Sequence, residues 1–177
     1  FLMTAVMLLV LTAIALPMFA ASESDVIDVQ ILIPSRVGIR INNAGAIVFD
    51  LTAATLPTTF PGYYLPTSGG PEIEMDLFCN DNDGFNLDVQ ASGDFNADVL
   101  VSQLFFAPSG EVVSAEGGAA GGNWTAFGTG VVSVLAAEPR PTGWAAFDQA
   151  IEFMLEESDP AVDPTASVTL TYTITNL

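Results

Sequence analysis

Apolar positions follow two different patterns along the chain, and the patterns meet near residue 22. Residues 1–21 are an almost continuous apolar run, and the first charged residue is Glu23. After Ser24, short runs of apolar and β-branched residues alternate with clusters of Pro, Gly, Asn and Asp, which is typical of strands joined by turns. The sequence therefore predicts a mainly β chain. We expect an antiparallel Ig-like β-sandwich over residues 23–177, preceded by a hydrophobic α-helix over residues 1–22.

Several segments have the composition of β-strands. They are residues 25–33, 36–42, 46–51, 72–79, 85–91, 99–106, 130–137, 146–155 and 167–175. The segment 146–155 also fits helical spacing, but strands precede it and Asp-Pro follows it, so we interpret it as a strand. In the last segment Val168, Leu170, Tyr172 and Ile174 alternate with threonines, the period of a strand with one buried face. We expect these four side chains to face the core.

The charge balance excludes some classes of partner and function. Three basic residues stand against 21 acidic ones, there is no His, and the net charge is −18. Nucleic acids are poor partners for such a chain, because Lys and Arg are needed to meet phosphate. The lack of His removes the most frequent general base and metal ligand. The single Cys79 excludes an internal disulfide. We predict no cofactor and no enzymatic activity.

One short stretch offers candidate metal ligands. In CNDNDGFNLD, residues 79–88, Asp81, Asp83 and Asp88 are weak candidates for calcium, which prefers oxygen ligands around a tight turn. The stretch departs from the helical calcium loop, because Cys79 stands at the first ligand position and Gln90 at the last. A β-hairpin turn explains the same residues, since Asp-Gly favours tight turns. We predict a bare hairpin turn and no metal.

Two acidic clusters allow an alternative, hydrolytic function. Residues 72–76 and 156–163 could supply the carboxylate pair of a glycoside hydrolase, which needs two carboxyl groups about 5–10 Å apart. In the first cluster, however, Glu72, Glu74 and Asp76 alternate with apolar residues. That alternation predicts a solvated strand face, and we retain the non-enzymatic prediction.

Two features concern carbohydrate. Asn123-Trp124-Thr125 is an N-glycosylation sequon in a Gly-rich stretch, so Asn123 is a candidate glycosylation site. The aromatic residues Tyr63, Tyr64, Trp124 and Trp144 are candidates for a glycan-binding platform. The alternative is that they anchor the core or the loops, which aromatic residues near strands often do.

The order of motifs resembles a group of secreted prokaryotic β-sandwich domains found on cell surfaces. The resemblance covers residues 26–177 and rests on VFDL, YYLPTSGG, FCNDNDGFNLDVQASGDF, QLFFAPSG and the closing ASVTLTYTIT. It implies the fold and export from the cell, and it implies no activity.

The opening stretch, FLMTAVMLLVLTAIALPMFAA, resembles the amino terminus of processed archaeal-type type IV pilins. In that family a peptidase cuts before an apolar helix, which then packs in the core of a filament below a β-sandwich head. The resemblance implies a homopolymer on the cell surface that passes through the membrane before assembly. A helix over residues 1–21 is about 31 Å long, enough to cross a bilayer. The residues expected to make the assembly contacts are Phe1, Leu2, Val6, Leu9, Val10, Ala13 and Leu16.

Three alternatives for the opening stretch remain open. It resembles an export leader in its apolar core and in the small residues that follow Pro17, although it lacks a basic region before the core. It is also compatible with a permanent membrane anchor of an adhesin or glycan-binding module. In the third alternative, residues 25–33 add a strand to the next subunit of a filament by edge pairing. All of them expect an extracellular β-sandwich.

Overall fold

A computed structural model describes residues 29–108, 123–161 and 165–177. The chain divides into two units, Phe1–Ile33 and Pro34–Leu177. The predicted helix over residues 1–22, with its assembly residues, lies outside the described residues. So does the amino-terminal part of the predicted strand over residues 25–33.

The second unit is built from two antiparallel β-sheets. Its strands are β1 Val37–Ile41, β2 Gly62–Tyr64, β3 Glu72–Cys79, β4 Phe85–Ala91, β5 Leu104–Pro108, β6 Thr125–Ala126, β7 Val132–Glu138, β8 Ala145–Leu155 and β9 Leu170–Asn176. The large sheet has the order β1-β3-β8-β5-β6, with β2 also paired to β8. The small sheet has the order β7-β4-β9. The described part of the chain is therefore mainly β and sandwich-like, with a single short helical turn at Val101–Gln103.

The core lies between the two sheets and follows the alternation of the strands. In β3, Ile73, Met75, Leu77 and Cys79 are buried, whereas the side chains between them are more exposed. In β4, Leu87 and Val89 are buried in the same alternating way. Successive side chains of a strand point to opposite faces, so one face of each sheet supplies the core. The hydroxyl of Tyr172 in the small sheet donates a hydrogen bond to Oε1 of Gln149 in the large sheet.

Most of the predicted strands are confirmed. The strands β3 and β4 have the predicted bounds, and β1, β7, β8 and β9 agree within three residues at each end. The ambiguous segment 146–155 is a strand. The predicted strand 99–106 begins too early, because Val101–Gln103 is a helical turn and β5 starts at Leu104. The short strands β2 and β6 lie in stretches rich in Pro or Gly and are not among the predicted strands.

Two predicted strands are wrong in the described residues. Residues 46–51 form only an isolated bridge, in which Val48 pairs with Ser68, although Ile47 and Phe49 still pack against the core. Residues 29–33 belong to no strand of the described chain. Both segments have strand-like composition. A strand also needs a neighbouring backbone to pair with, and composition does not reveal whether one is present.

The predicted hairpin at residues 79–88 is also wrong. The strand β3 pairs with β1 and β8, whereas β4 pairs with β7 and β9, so residues 80–84 connect one sheet to the other. A positive φ of 98° at Gly84 permits this connection, and the closest atom to a Cβ there would be the carbonyl oxygen of Glu138, at 2.2 Å. The chain thus turns sharply at the Asp-Gly pair, and this turn leads from one sheet to the other.

This close approach predicts that Gly84→Ala destabilises the protein. We expect a loss of about 1–3 kcal/mol, because a non-Gly residue with positive φ is strained and the backbone of Glu138 must also shift. The matched control is Gly143→Ala, since Gly143 has a φ of 79° but no atom within 4 Å of its Cβ position. Urea denaturation of both variants measures the difference. Equal losses would show that the contact with Glu138 is unimportant.

Candidate functional site

The connection between β3 and β4 is a hydrogen-bonded junction rather than an open ligand loop. One carboxylate oxygen of Asp81 accepts a hydrogen bond from Ser35 Oγ at 2.7 Å and another from Asn176 Nδ2 at 3.2 Å. Its other oxygen accepts one from the backbone N–H of Asp83. These hydrogen bonds, first that from Ser35, lower the pKa of Asp81. Asp81 therefore links Ser35, two residues before β1, to Asn176 at the end of β9.

The other metal candidates do not join this junction as ligands. Asp88 lies within β4, between Ser133 of β7 and Thr173 of β9. Among the residues that the structure describes, no group of three or more His, Cys, Asp or Glu side chains is placed to hold a metal ion. The hydrogen bond from the backbone N–H of Asp83 to Asp81 is that of a local turn, and this turn joins the two sheets.

The two acidic clusters lie on different elements. The first cluster lies within β3. Its residues Glu72, Glu74 and Asp76 are more exposed than the apolar residues between them, as the alternation predicts. Glu156, Glu157 and Ser158 follow β8, where they line an open hollow of about 480 Å³ with Phe60 and Pro61. Among the described residues, no basic side chain lines this hollow.

Sequence reasoning missed one buried carboxylate, that of Glu152. This side chain is 0% exposed, and within the described part of the chain neither of its carboxylate oxygens has a hydrogen-bond partner. Burial raises its pKa to about 7. The available signal was its position in AIEFML, a glutamate with apolar residues on both sides in a strand. Such a group changes charge near neutral pH.

Aromatic side chains share the face on which Glu152 lies. Its neighbours along β8, Ile151 and Phe153, belong to the core, so Glu152 points away from the core. Phe105 is its cross-strand partner in β5, and the ring of Tyr63 lies edge-on to that of Phe105, with centroids 6.1 Å apart. Burial, and secondarily the nearby Glu152, raises the pKa of Tyr63. The cluster therefore combines aromatic rings with one buried acid.

The aromatic residues that were candidates for a glycan-binding platform have other contacts in the structure. Tyr64 is buried, and its hydroxyl donates to the carbonyl of Thr55 at 2.8 Å, so it is wrong as a platform residue and anchors a loop. Trp144 is partly exposed, but Arg40 covers a face of its ring at 3.7 Å and Phe78 packs against it at 5.5 Å. Trp124 is half-buried. These contacts favour the anchoring alternative.

The candidate glycosylation site is accessible. Asn123 is exposed and lies directly before β6, which contains Thr125 of the sequon. An attached sugar at Asn123 would therefore reach solvent. Its use stays a prediction.

The segment VQILI, residues 29–33, exposes several large apolar side chains that are adjacent in the sequence. Val29, Ile31, Leu32 and Ile33 are between 73% and 93% exposed. Single exposed apolar residues are ordinary on proteins, but a contiguous run of them marks an interaction surface. The segment carries no charge in a chain with a net charge of −18.

The two outer strands of the small sheet differ in regularity. The pairing of β9 with β4 is unbroken from Ala91–Leu170 to Phe85–Asn176. The pairing of β7 with β4 contains two register shifts, and Ala137 in β7 has a positive φ of 54°. Irregular pairing of this kind protects an edge strand from further pairing, so β7 is protected in a way that β9 is not.

Comparison with family models, with curated proteins and with solved structures finds no match for this chain. The residues that the structure describes include no helix with the length and apolar character needed to cross a membrane.

Proposed function

We propose that the protein is a non-enzymatic structural subunit of an extracellular surface filament, with an Ig-like β-sandwich as its head. The observation that carries the proposal is the exposed apolar segment 29–33. A single soluble copy gains nothing from displaying four large apolar side chains next to one another, whereas a polymer removes them from water.

The amino-terminal residues 1–21 are a second apolar segment without charge. They form an uncharged apolar run, which other copies would have to bury if it stays in the mature chain. Burial of apolar surface contributes about 25 cal/mol per Å², so many copies packed side by side form a very stable polymer. The proposed contacts of this run are those of Phe1, Leu2, Val6, Leu9, Val10, Ala13 and Leu16.

The strong acidity of the chain fits a filament surface. Most charged side chains of the head are carboxylates, which keep assembled filaments apart by repulsion. The uncharged apolar segments then supply the attraction between subunits, because they bring no like charges together. Attraction is thereby restricted to particular surfaces.

We predict that the full chain forms filaments and that Leu9→Asp abolishes them without unfolding the head. An unpaired carboxylate in an apolar core is costly, so its burial in the polymer is unfavourable. The matched control is Leu56→Asp, the same chemical change at a residue that is 74% exposed and lies outside the strands. Electron microscopy and sedimentation measure assembly, and circular dichroism measures folding.

Three results are possible in this comparison. Filaments from the full chain and from Leu56→Asp, but none from Leu9→Asp, support the proposal and its apolar amino-terminal contacts. Filaments from all three chains support the function but place the assembly contacts elsewhere. A folded full chain that stays monomeric over a wide range of concentration, salt and pH would overturn the proposed function.

A further inference from the structure

The outer edge of β9 has the properties of an acceptor for another strand. Its sequence, LTYTITN, contains no charged residue and no proline, the two kinds of residue that most often protect an exposed edge. Its register with β4 is regular over its full length. Within the described residues β9 pairs with β4 alone, so the N–H and C=O groups along its other edge have no strand partner.

The core beside this edge is incompletely covered. Leu170, Tyr172 and Ile174 are each half-buried, whereas their partners in β4, Ala91, Val89 and Leu87, are buried. The strand β1, at the corresponding edge of the large sheet, is also less buried than its neighbour β3. Ile41 shares a face with the fully buried Met75, yet it is 51% exposed. A further strand along β9 would cover this apolar flank.

The edge strands β1 and β9 lie on the same side of the two-sheet unit. The strands β3 and β4 follow each other through residues 80–84, and β1 is the outer neighbour of β3 as β9 is of β4. At one end the side chains of Ser35 and Asn176 are hydrogen-bonded at 2.9 Å. The ends that carry Ile41 and Leu170 lie away from this junction, because their partners Met75 and Ala91 are remote from residues 80–84.

We propose that residues 29–33 of one copy form a strand along the free edge of β9 in a second copy. The inference rests on the proposed function and names the surface through which subunits join. In a strand, Val29, Ile31 and Ile33 point to one face and Gln30 and Leu32 to the other. Val29, Ile31 and Ile33 match the half-buried side chains of β9, because both sets are mainly apolar and occupy every second position. The uncharged segment also meets an uncharged edge, so two acidic copies approach without like charges in contact.

Cysteine cross-linking between copies of the full chain tests the proposal. One chain carries Leu32→Cys and the other carries Thr171→Cys, Thr173→Cys or Thr175→Cys, since the threonines of β9 are exposed on its outward face. Because each chain has only one new thiol and Cys79 is buried, a disulfide between the variants reports contact between copies. The chains are mixed and assembled under reducing conditions, checked for filaments by electron microscopy, and then oxidised.

The control partner is Ser133→Cys. Ser133 and Thr173 flank the same residue, Asp88, on opposite sides of the small sheet, and both are exposed. Thiols whose Cα atoms are more than about 7 Å apart do not form a disulfide, so we expect on the order of tenfold more cross-linked dimer with a β9 position than with Ser133→Cys.

The outcomes separate this inference from the proposed function. Cross-links at one or more positions of β9, with little at Ser133, support strand addition to β9. Filaments that give no cross-link at β9, or that cross-link more through Ser133→Cys, overturn the inference and leave the filament function standing. Folded chains that form no filaments and no cross-links overturn both.

Discussion

Glu152→Gln is expected to stabilise the folded protein by about 1–3 kcal/mol above neutral pH and to have little effect under acidic conditions. Burial raises the pKa of Glu152 from 4.5 to about 7. A difference of about 2.5 pH units corresponds to at most about 3 kcal/mol, at about 1.4 kcal/mol for each unit, and screening by water close to the sheet surface reduces this value. Glutamine has nearly the same shape as protonated glutamate and never carries the charge.

The sign follows from the two states of the protein. The unfolded chain releases the proton of Glu152 near pH 4.5, whereas the folded protein keeps it until about pH 7. Below the first value both states are protonated and the contribution to stability is constant. Stability then falls as pH rises through this window, and it stays low above it, because folding must bury a charge.

Urea denaturation of both proteins between about pH 4 and pH 9 measures this effect. The control is Glu157→Gln, since Glu157 is exposed and a surface substitution changes stability by less than about 0.5 kcal/mol. A stability difference between the Glu152→Gln variant and the original chain that does not change with pH would show that the carboxylate is hydrated.

Leu87→Ala is expected to destabilise the protein by about 2–5 kcal/mol, because it removes buried methyl groups and leaves a cavity. Leu87 is 0% exposed, and its strand β4 lies between β7 and β9. Leu170→Ala, in β9, is the comparison. Leu170 is only half-buried, so we expect a loss of about 1–2 kcal/mol in the unassembled protein.

Chemical denaturation of the unassembled chains measures both losses. Equal losses for the two variants would show that β9 is covered as completely as β4, which contradicts an open edge. An unchanged stability for Leu87→Ala would place that side chain outside the core. The comparison therefore tests the burial difference on which strand addition to β9 depends.

The buried acid and the open edge bear on different properties of the proposed filament. Glu152 lies on the outward face of the large sheet, in β8, and affects the stability of each head. The open edge lies along β9 in the small sheet. A change of pH through the range in which Glu152 ionises is thus expected to alter the stability of the heads before it alters the contact at β9, which contains no acidic residue.

The sequence by itself determined the strands that have a buried face. Alternation in EIEMDLFC and FNLDVQA is clear because side chains of a strand point alternately to core and solvent, and the free energy of apolar burial depends on that spacing. The bounds of β3 and β4 agree with the prediction for this reason. The strand nature of residues 146–155 also followed from sequence, through the flanking strands and the Asp-Pro after it.

Pairing between distant segments was decided only by the tertiary structure. Residues 46–51 and 29–33 have the composition of strands, but the first makes one bridge and the second none in the described chain. Asp83-Gly84 indicates a turn. Whether that turn forms a hairpin or joins two sheets depends on the strands with which β3 and β4 pair. The burial of Glu152 depends likewise on neighbours from other strands, such as Phe105. Local sequence fixes the spacing of side chains, whereas strand partners and the environment of a charge depend on residues far away in the chain.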